Sequence, residues 1–158
     1  MPRPTSREIV DRLILAIETA DFDAIDELVA EDVVEEYPQS GECMRGKSNR
    51  RAVYENYPGA GIPSQNAPVV KRVIGSEDHW VLTPSQTALR IIGTGDQYTI
   101  TGLVRYPNGE VWHGIQIVEL RGGKISRITS YFAAPFEPAA WRAPWVEPIT
   151  VATEPSHK

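Results

Sequence analysis

The chain has 158 residues, of which 41% are apolar, and its formal net charge is -5. This length predicts a single domain with a core of its own. The negative charge, without a basic block interleaved with aromatic residues, argues against nucleic acid as a partner. The single Cys43 excludes an internal disulfide, and the sequence shows neither an apolar run of about 18 residues nor a charged-then-apolar leader. We therefore expect a cytoplasmic protein with no membrane partner.

The first third of the chain predicts three helices and one strand. Thr5 and Glu8 have the spacing of a capping box, and an apolar stripe at the helical period then predicts a helix from Ser6 to Thr19. Asp21 is the predicted cap of a second, short helix. The β-branched pair Val33-Val34 predicts a brief strand that Pro38 ends.

A loop containing Gly41 and Gly46 is expected next, before the third helix. Ser48 is the predicted cap of this helix, which carries Tyr54 and Tyr57 and stops at Pro58-Gly59.

From about residue 67 the pattern changes to strands. Gly122-Gly123 and Pro107-Asn108-Gly109 predict tight turns, because both supply residues that tolerate positive φ. Strands joined by such turns are antiparallel. The sequence thus predicts an α+β fold in which three helices pack on one face of a curved antiparallel sheet that encloses a pocket. The candidate strands are Val69 to Gly75, His79 to Ile92, Gln97 to Tyr106, Val111 to Arg121 and Lys124 to Phe132.

The last part of the chain is rich in proline and aromatic residues. We divide the sequence into a domain at 1–132 and a C-terminal extension at 133–158 that carries Phe136, Trp141 and Trp145. Three large aromatic side chains would be unusual in solvent. The extension is expected to pack on its own domain or on a partner subunit.

Two polar side chains, Tyr37 and Gln116, lie among residues that otherwise predict buried strand. A buried polar group needs a hydrogen-bond partner. That partner can be a ligand in a cavity, or the two side chains can bond each other or the backbone in a filled core. Both readings remain open from the sequence.

The sequence resembles the SnoaL-like branch of the nuclear transport factor 2-like superfamily. The features that carry the resemblance are the helix-helix-strand-helix-sheet order, the turn Asp21-Phe22-Asp23, the strand leading to Gly46, and the hairpin from Leu120 to Ile125. The resemblance implies a cystatin-like cone and dimerisation through the sheet, for which Trp112, Tyr131 and Tyr106 could furnish an aromatic interface. One such scaffold supports many activities, including those of polyketide cyclases, ketosteroid isomerases and limonene epoxide hydrolase.

The catalytic carboxylates of ketosteroid isomerases are replaced in this chain. The resemblance places Tyr37 where those enzymes carry the general base, Gln116 where they carry the oxyanion-binding acid, and Leu13 where they carry a tyrosine donor. Tyr54 matches a pocket-lining tyrosine. We therefore do not expect this chain to use the mechanism of the ketosteroid isomerases.

Strand alternation and the same resemblance place a largely apolar set of side chains toward the predicted pocket. A cavity of this kind suits a flat hydrophobic molecule with one or two oxygens, such as an aromatic polyketide, a terpenoid or a steroid-like compound. The candidate lining residues are Tyr54, Tyr57, Val118, Ile128, Ser130 and Phe132.

The candidate catalytic residues are Tyr37, Gln116 and Glu35. A tyrosine titrates near pKa 10, so Tyr37 is better suited to donating a hydrogen bond to a substrate oxygen, with Gln116 as a second donor. Glu35 is the alternative base, because burial raises the pKa of a carboxylate. The alternative is that neither glutamate of the Glu35-Glu36 pair is catalytic, with one exposed to solvent and the other at the edge of the sheet.

The remaining reactive side chains do not predict a metal or cofactor site. His113 falls on the strand face opposite Gln116, and Cys43 has no histidine nearby in sequence. Three functional hypotheses remain. They are a cofactor-free acid/base enzyme, a non-catalytic ligand-binding protein, and an assembly domain that works through its outer surface.

Overall fold

The computed structural model describes residues 3–56, 85–105 and 110–148. Several predicted features lie outside these ranges: Tyr57, Tyr106, the strand predicted at Val69 to Gly75, the turn predicted at Pro107-Asn108-Gly109 and the start of the strand predicted at His79 to Ile92. No helix within them is long and apolar enough to cross a membrane.

Three α-helices open the fold. They are α1 (Ser6–Glu18), α2 (Phe22–Leu28) and α3 (Lys47–Glu55). The predicted capping box is confirmed, since the Thr5 side chain accepts from the Glu8 amide and the Glu8 carboxylate accepts from the Thr5 amide. Asp21 caps α2 as predicted.

The predicted start of α3 is wrong by two residues. Its N-cap is Gly46 rather than Ser48, and no side chain caps it. Gly46 has φ 84°, and its amide donates to the carbonyl oxygen of Val33. Such a conformation strains residues that carry a Cβ, so glycine fixes where the chain turns from strand to helix.

Six strands form one mixed sheet in the order β2-β1-β6-β5-β4-β3. Their bounds are β1 (Val29–Tyr37), β2 (Glu42–Arg45), β3 (Ser85–Thr94), β4 (Gln97–Arg105), β5 (Val111–Arg121) and β6 (Lys124–Ala133).

Strands β3 to β6 are antiparallel neighbours, as their tight turns predict. Gly122 and Gly123, with φ 61° and 78°, form the turn between β5 and β6. Two consecutive positive φ angles suit the twist of a two-residue hairpin. Register shifts in β3 and between Glu119 and Leu120 mark irregularities of the kind that bend a sheet.

The sheet departs from the predicted antiparallel arrangement at one pair. Strand β1 runs parallel to β6, with Glu35 opposite Ile128 and Glu36 opposite Thr129. It is also longer than predicted, since it starts directly after α2, and it pairs with β2, which the sequence had indicated as loop.

The main core lies between α1, α2 and the inner face of the sheet. Leu13 and its apolar neighbours on α1 pack in one buried cluster with sheet residues that include Val118 and Ile128. Removing this much apolar surface from water is the dominant stabilising term. A second, smaller cluster lies at the other end of the sheet and contains Tyr37, Met44 and Phe132, with Tyr54 and Trp112 packed against it.

The C-terminal extension continues to a 3-10 helix at Ala140–Trp145. Phe136, Trp141 and Trp145 are 83%, 73% and 78% exposed. These rings do not pack on their own domain, which was the first of the two predicted arrangements. Burial against a partner subunit stays a prediction.

Candidate functional site

The candidate site is built around a buried carboxylate on β1. Along this strand Val33, Glu35 and Tyr37 are buried, while Val34 and Glu36 are only partly so, which is the alternation of a strand with one covered face. Glu35 is 1% exposed. The interpretation of Glu35 as a solvated or edge residue is therefore wrong.

The partner of Glu35 is Arg50 on α3. Its Nε donates to Glu35 Oε2 at 2.7 Å, and the arginine is itself only 4% exposed. One helical turn later, Tyr54 shares the same face of α3. The guanidinium carbon of Arg50 lies 4.8 Å from the centroid of the Tyr54 ring, within the range of a cation–π contact.

Two phenols complete the group. The Tyr37 hydroxyl donates to Glu35 Oε1 at 2.7 Å, and the Tyr54 hydroxyl donates to the same oxygen at 3.0 Å. The two phenol oxygens lie 3.2 Å apart. We call Glu35, Tyr37, Arg50 and Tyr54 the carboxylate network.

Electrostatics hold the two phenols and the guanidinium of this network in one protonation state. Burial, followed by the negative charge of Glu35, raises the pKa of Tyr37 well above its ordinary value of 10.0. The same two causes raise the pKa of Tyr54. Burial is the largest single cause and would lower the pKa of Arg50, but the charge and hydrogen bond of Glu35 together with the two tyrosines outweigh it, and the pKa is raised. Both phenols stay protonated and the guanidinium stays charged at neutral pH.

Aromatic and apolar side chains border the network. Phe132 on β6 stacks on Tyr37 with ring centroids 6.4 Å apart, and Met44 and Trp112 belong to the same cluster. Phe22 lies against the other side of Tyr54, at 6.5 Å. This border makes the environment apolar, which strengthens the hydrogen bonds inside it.

A second polar pair lies on the inner face of the next two strands. Gln116 on β5 is directly opposite Ser130 on β6, and Gln116 Nε2 lies 3.4 Å from Ser130 Oγ. Ser130 is 1% exposed and Gln116 is half-buried. Ser130 is on β6, the direct neighbour of β1, whereas Gln116 on β5 is one strand farther along the sheet.

The structure thus separates Tyr37 from Gln116. Tyr37 bonds Glu35 and contacts the Tyr54 hydroxyl, whereas Gln116 bonds Ser130, so the reading in which Tyr37 and Gln116 bond each other is wrong. Ser130 and Phe132 face inward as predicted. Val118 and Ile128 lie in the core cluster beneath α1, and their predicted role in ligand binding stays a prediction.

Sequence reasoning missed Arg50. The stretch Ser48-Asn49-Arg50-Arg51 has the composition of a solvated helix face, and Arg50 is its one buried residue; the neighbouring Arg51 is partly exposed and bonds Asp23, Asp26 and Glu55. Two signals were available. Tyr54 follows Arg50 at the helical spacing, and a carboxylate on a buried strand requires a cation.

The other reactive side chains lie apart from the site. His113 and Cys43 are exposed, the first on the outer face of β5 and the second on β2. Within the described residues, no group of three His, Cys, Asp or Glu side chains is arranged to hold a metal ion.

Comparison with known proteins identifies relatives of this chain. Residues 10–128 match the sequence model of the SnoaL-like domain. No curated protein matches the chain. Among solved structures, it is similar to an NTF-2 like protein of unknown function from Burkholderia xenovorans LB400, with 29% identity over 91% of this chain and 94% of that one, and a TM-score of 0.66.

Two more distant structures share the fold. One, from Kribbella flavida, is provisionally described as a ketosteroid isomerase; it has 20% identity over 93% of this chain and 91% of its own, with a TM-score of 0.72. The other is a protein with a ketosteroid isomerase-like fold from Catenulispora acidiphila in complex with trimethylamine, at 16% identity over 82% and 88%, with a TM-score of 0.54. At these identities the likeness extends to the fold alone.

Proposed function

Because the chain belongs to the SnoaL-like family of the nuclear transport factor 2-like superfamily, we propose that it binds a small hydrophobic molecule carrying one or two oxygens. The ligand lies on the inner face of the sheet, between the carboxylate network and the Gln116–Ser130 pair. Polyketide-, terpenoid- and steroid-like compounds have this character.

The observation that carries the proposal is unused hydrogen-bonding capacity in the Gln116–Ser130 pair. An amide group and a hydroxyl together hold three donor hydrogens. The bond from Gln116 Nε2 to Ser130 Oγ uses one of them, and no further acceptor lies within reach among the described residues. The Ser130 hydroxyl hydrogen is buried and the second amide hydrogen of Gln116 is half-buried, and a ligand oxygen supplies an acceptor for them.

The role of Tyr37 differs from the sequence prediction. Two phenols hold two donor hydrogens, and both are committed within the carboxylate network. Tyr37 therefore cannot donate to a ligand oxygen without releasing Glu35. Its ring, stacked on Phe132, contributes an apolar wall instead.

The same geometry favours binding over acid/base turnover. General acid/base catalysis works best with a group that titrates near the working pH. The pKa values of Tyr37, Tyr54 and Arg50 are all raised, away from neutrality. Glu35 accepts hydrogen bonds from three donors, and a proton taken from a substrate would displace one of them.

The experiment is calorimetric titration with acetylnaphthalene, a flat hydrophobic ketone. In the same titration with hydroxyacetylnaphthalene, which carries a second oxygen for Gln116, we expect Gln116→Leu to weaken binding about tenfold, the effect of losing one well-formed hydrogen bond in an apolar site. Gln97→Leu, at an exposed position of β4, is the matched control and should bind like wild type. If neither acetylnaphthalene nor its hydrocarbon analogue ethylnaphthalene binds the wild-type chain, the proposal is wrong.

We also propose a homodimer through the outer face of the sheet. Ile115 and Tyr131 are cross-strand neighbours on that face and are 42% and 40% exposed. Exposed apolar patches of this kind are typical of subunit contacts. Trp112, predicted for the same interface, packs inward with the Tyr37 cluster and is not part of it.

A further inference from the structure

Arg50 has donor hydrogens that the protein does not use. A guanidinium carries five N–H hydrogens. The one on Nε donates to Glu35, and the remaining four have no hydrogen-bond acceptor among the described residues. Part of this group rests on the Tyr54 ring, a contact that leaves the in-plane hydrogens unpaired. At 4% exposure these hydrogens are also withdrawn from bulk water.

The other members of the carboxylate network cannot satisfy them. Glu35 already accepts from Arg50, Tyr37 and Tyr54. Among the described residues, neither phenol oxygen forms a hydrogen bond with the guanidinium. Because both phenol hydrogens are committed, Arg50 is the one member that still has hydrogens to donate to a bound molecule.

We infer that the Nη hydrogens of Arg50 bind a neutral carbonyl oxygen of the ligand. This inference rests on the proposed function and names the chemical group that the same site recognises. Charge decides between a carbonyl and a carboxylate. Glu35 and Arg50 together are neutral, so a carboxylate would leave one uncompensated negative charge in a buried place, whereas a ketone adds none.

The test compares three probes of one shape: acetylnaphthalene, ethylnaphthalene and naphthoate. For the wild-type chain we expect the ketone to bind about tenfold more tightly than the hydrocarbon, because hydrogen bonds to charged groups are the stronger ones. Naphthoate should bind more weakly than the ketone. In Arg50→Lys the positive charge beside Glu35 remains but the planar fork is lost, so the preference for the ketone should fall to within about twofold.

Arg51→Lys is the matched control, since Arg51 is on the same helix and its bonds go to Asp23, Asp26 and Glu55 outside the site. This variant should retain the preference for the ketone. If the preference survives Arg50→Lys but disappears in Gln116→Leu, the carbonyl binds at Gln116 and the Arg50 inference is wrong, while the proposed function stands. If no probe binds the wild type, both fail together.

Glu35→Gln keeps the inference testable should Arg50→Lys fail to fold. Removing the carboxylate charge leaves Arg50 as a net positive centre. We expect this variant to reverse the order of the probes and to bind naphthoate about tenfold more tightly than wild type does. An unchanged order in a folded Glu35→Gln variant would overturn the inference.

Discussion

At the scale of single residues, two neighbouring glutamates on one strand form ion pairs of different burial. Glu35 points inward to Arg50 at 2.7 Å, whereas Glu36 points outward and pairs with Arg127 at 2.6 Å on the half-exposed face. The distances are nearly equal, but water screens only the second pair. Distance alone therefore does not rank these ion pairs, and burial does.

We expect Glu35→Ala to lower the free energy of unfolding by about 3 to 5 kcal/mol, because it leaves the charge of Arg50 buried and unpaired. Urea denaturation measures the change. The control is Asp32→Ala, which removes the exposed pair with Arg121 and should unfold like wild type. Equal losses in the two variants would show that Glu35 is not in a buried ion pair.

The raised pKa of Tyr37 leads us to expect a loss of stability at high pH. Its pKa is raised in the folded chain above the ordinary value of 10.0, so the unfolded chain loses this proton first as pH rises. The protonated Tyr37 phenol contributes its full share to the free energy of unfolding below pH about 10. This contribution is lost as the pH rises further, because the unfolded state then binds fewer protons than the folded one. Urea unfolding at about pH 8 and about pH 11 should therefore show a smaller drop for Tyr37→Phe than for wild type. A drop of the same size in both would contradict this assignment.

The sequence supplied Tyr37, Tyr54, Gln116 and Ser130 as site residues because each is a polar side chain within an apolar pattern. It did not supply Arg50, since a charged residue on a polar helix looks solvated until the strand opposite is known. The distribution of hydrogens among the phenols also depends on contacts between distant elements. Residue type indicated the members of the site, and tertiary packing determined which of them can donate.

At the scale of elements, a side chain extends the pairing between β1 and β6. Pro38 ends β1 because it has no N–H to donate. The amide group of Gln39 then donates to the Phe132 carbonyl and accepts from the Phe132 amide. It takes the place of the missing strand and holds Phe132 against Tyr37.

We expect Gln39→Ala to lower the free energy of unfolding by about 1 to 3 kcal/mol, since it leaves two backbone groups of Phe132 without partners. Amide hydrogen exchange at Phe132 should accelerate more than exchange at Thr129 in the middle of β6. The matched control is Gln39→Glu, which keeps the acceptor oxygen and should slow exchange relative to Gln39→Ala. Unchanged exchange at Phe132 in Gln39→Ala would show that this bond does not protect the strand.

Element prediction succeeded where the signal is local. The capping box of α1, the glycine turn after β5 and the bounds of β5 follow from neighbouring residues and agree with the structure. Strand β2 was missed because Glu42-Cys43-Met44-Arg45 is short and only Met44 is buried. The parallel pairing of β1 with β6 joins segments about ninety residues apart, and no local pattern encodes it.

At the scale of the whole molecule, two surfaces are available for self-association. One is the outer face of the sheet around Ile115 and Tyr131, and the other is the extension with Phe136, Trp141 and Trp145. All five side chains are solvent-exposed in the single chain. Substitutions there should change association far more than they change the fold.

We expect sedimentation equilibrium to show a dimer for the wild type and a monomer for the double variant Ile115→Glu with Tyr131→Glu, because charges facing each other across the contact are destabilising. The comparison variant is Trp141→Ala with Trp145→Ala, which should leave a sheet-mediated dimer intact. If the tryptophan variant is monomeric and the glutamate variant dimeric, the extension forms the contact. Circular dichroism should show that both variants are folded.

The position of β1 beside the last strand has a consequence for synthesis of the protein. Glu35 and Tyr37 leave the ribosome well before β6, the neighbour of their strand, which ends at Ala133. A nascent chain cannot complete the sheet beside β1 until β6 has been translated. A chain cut short before β6 would consequently leave β1 without its neighbour on that side.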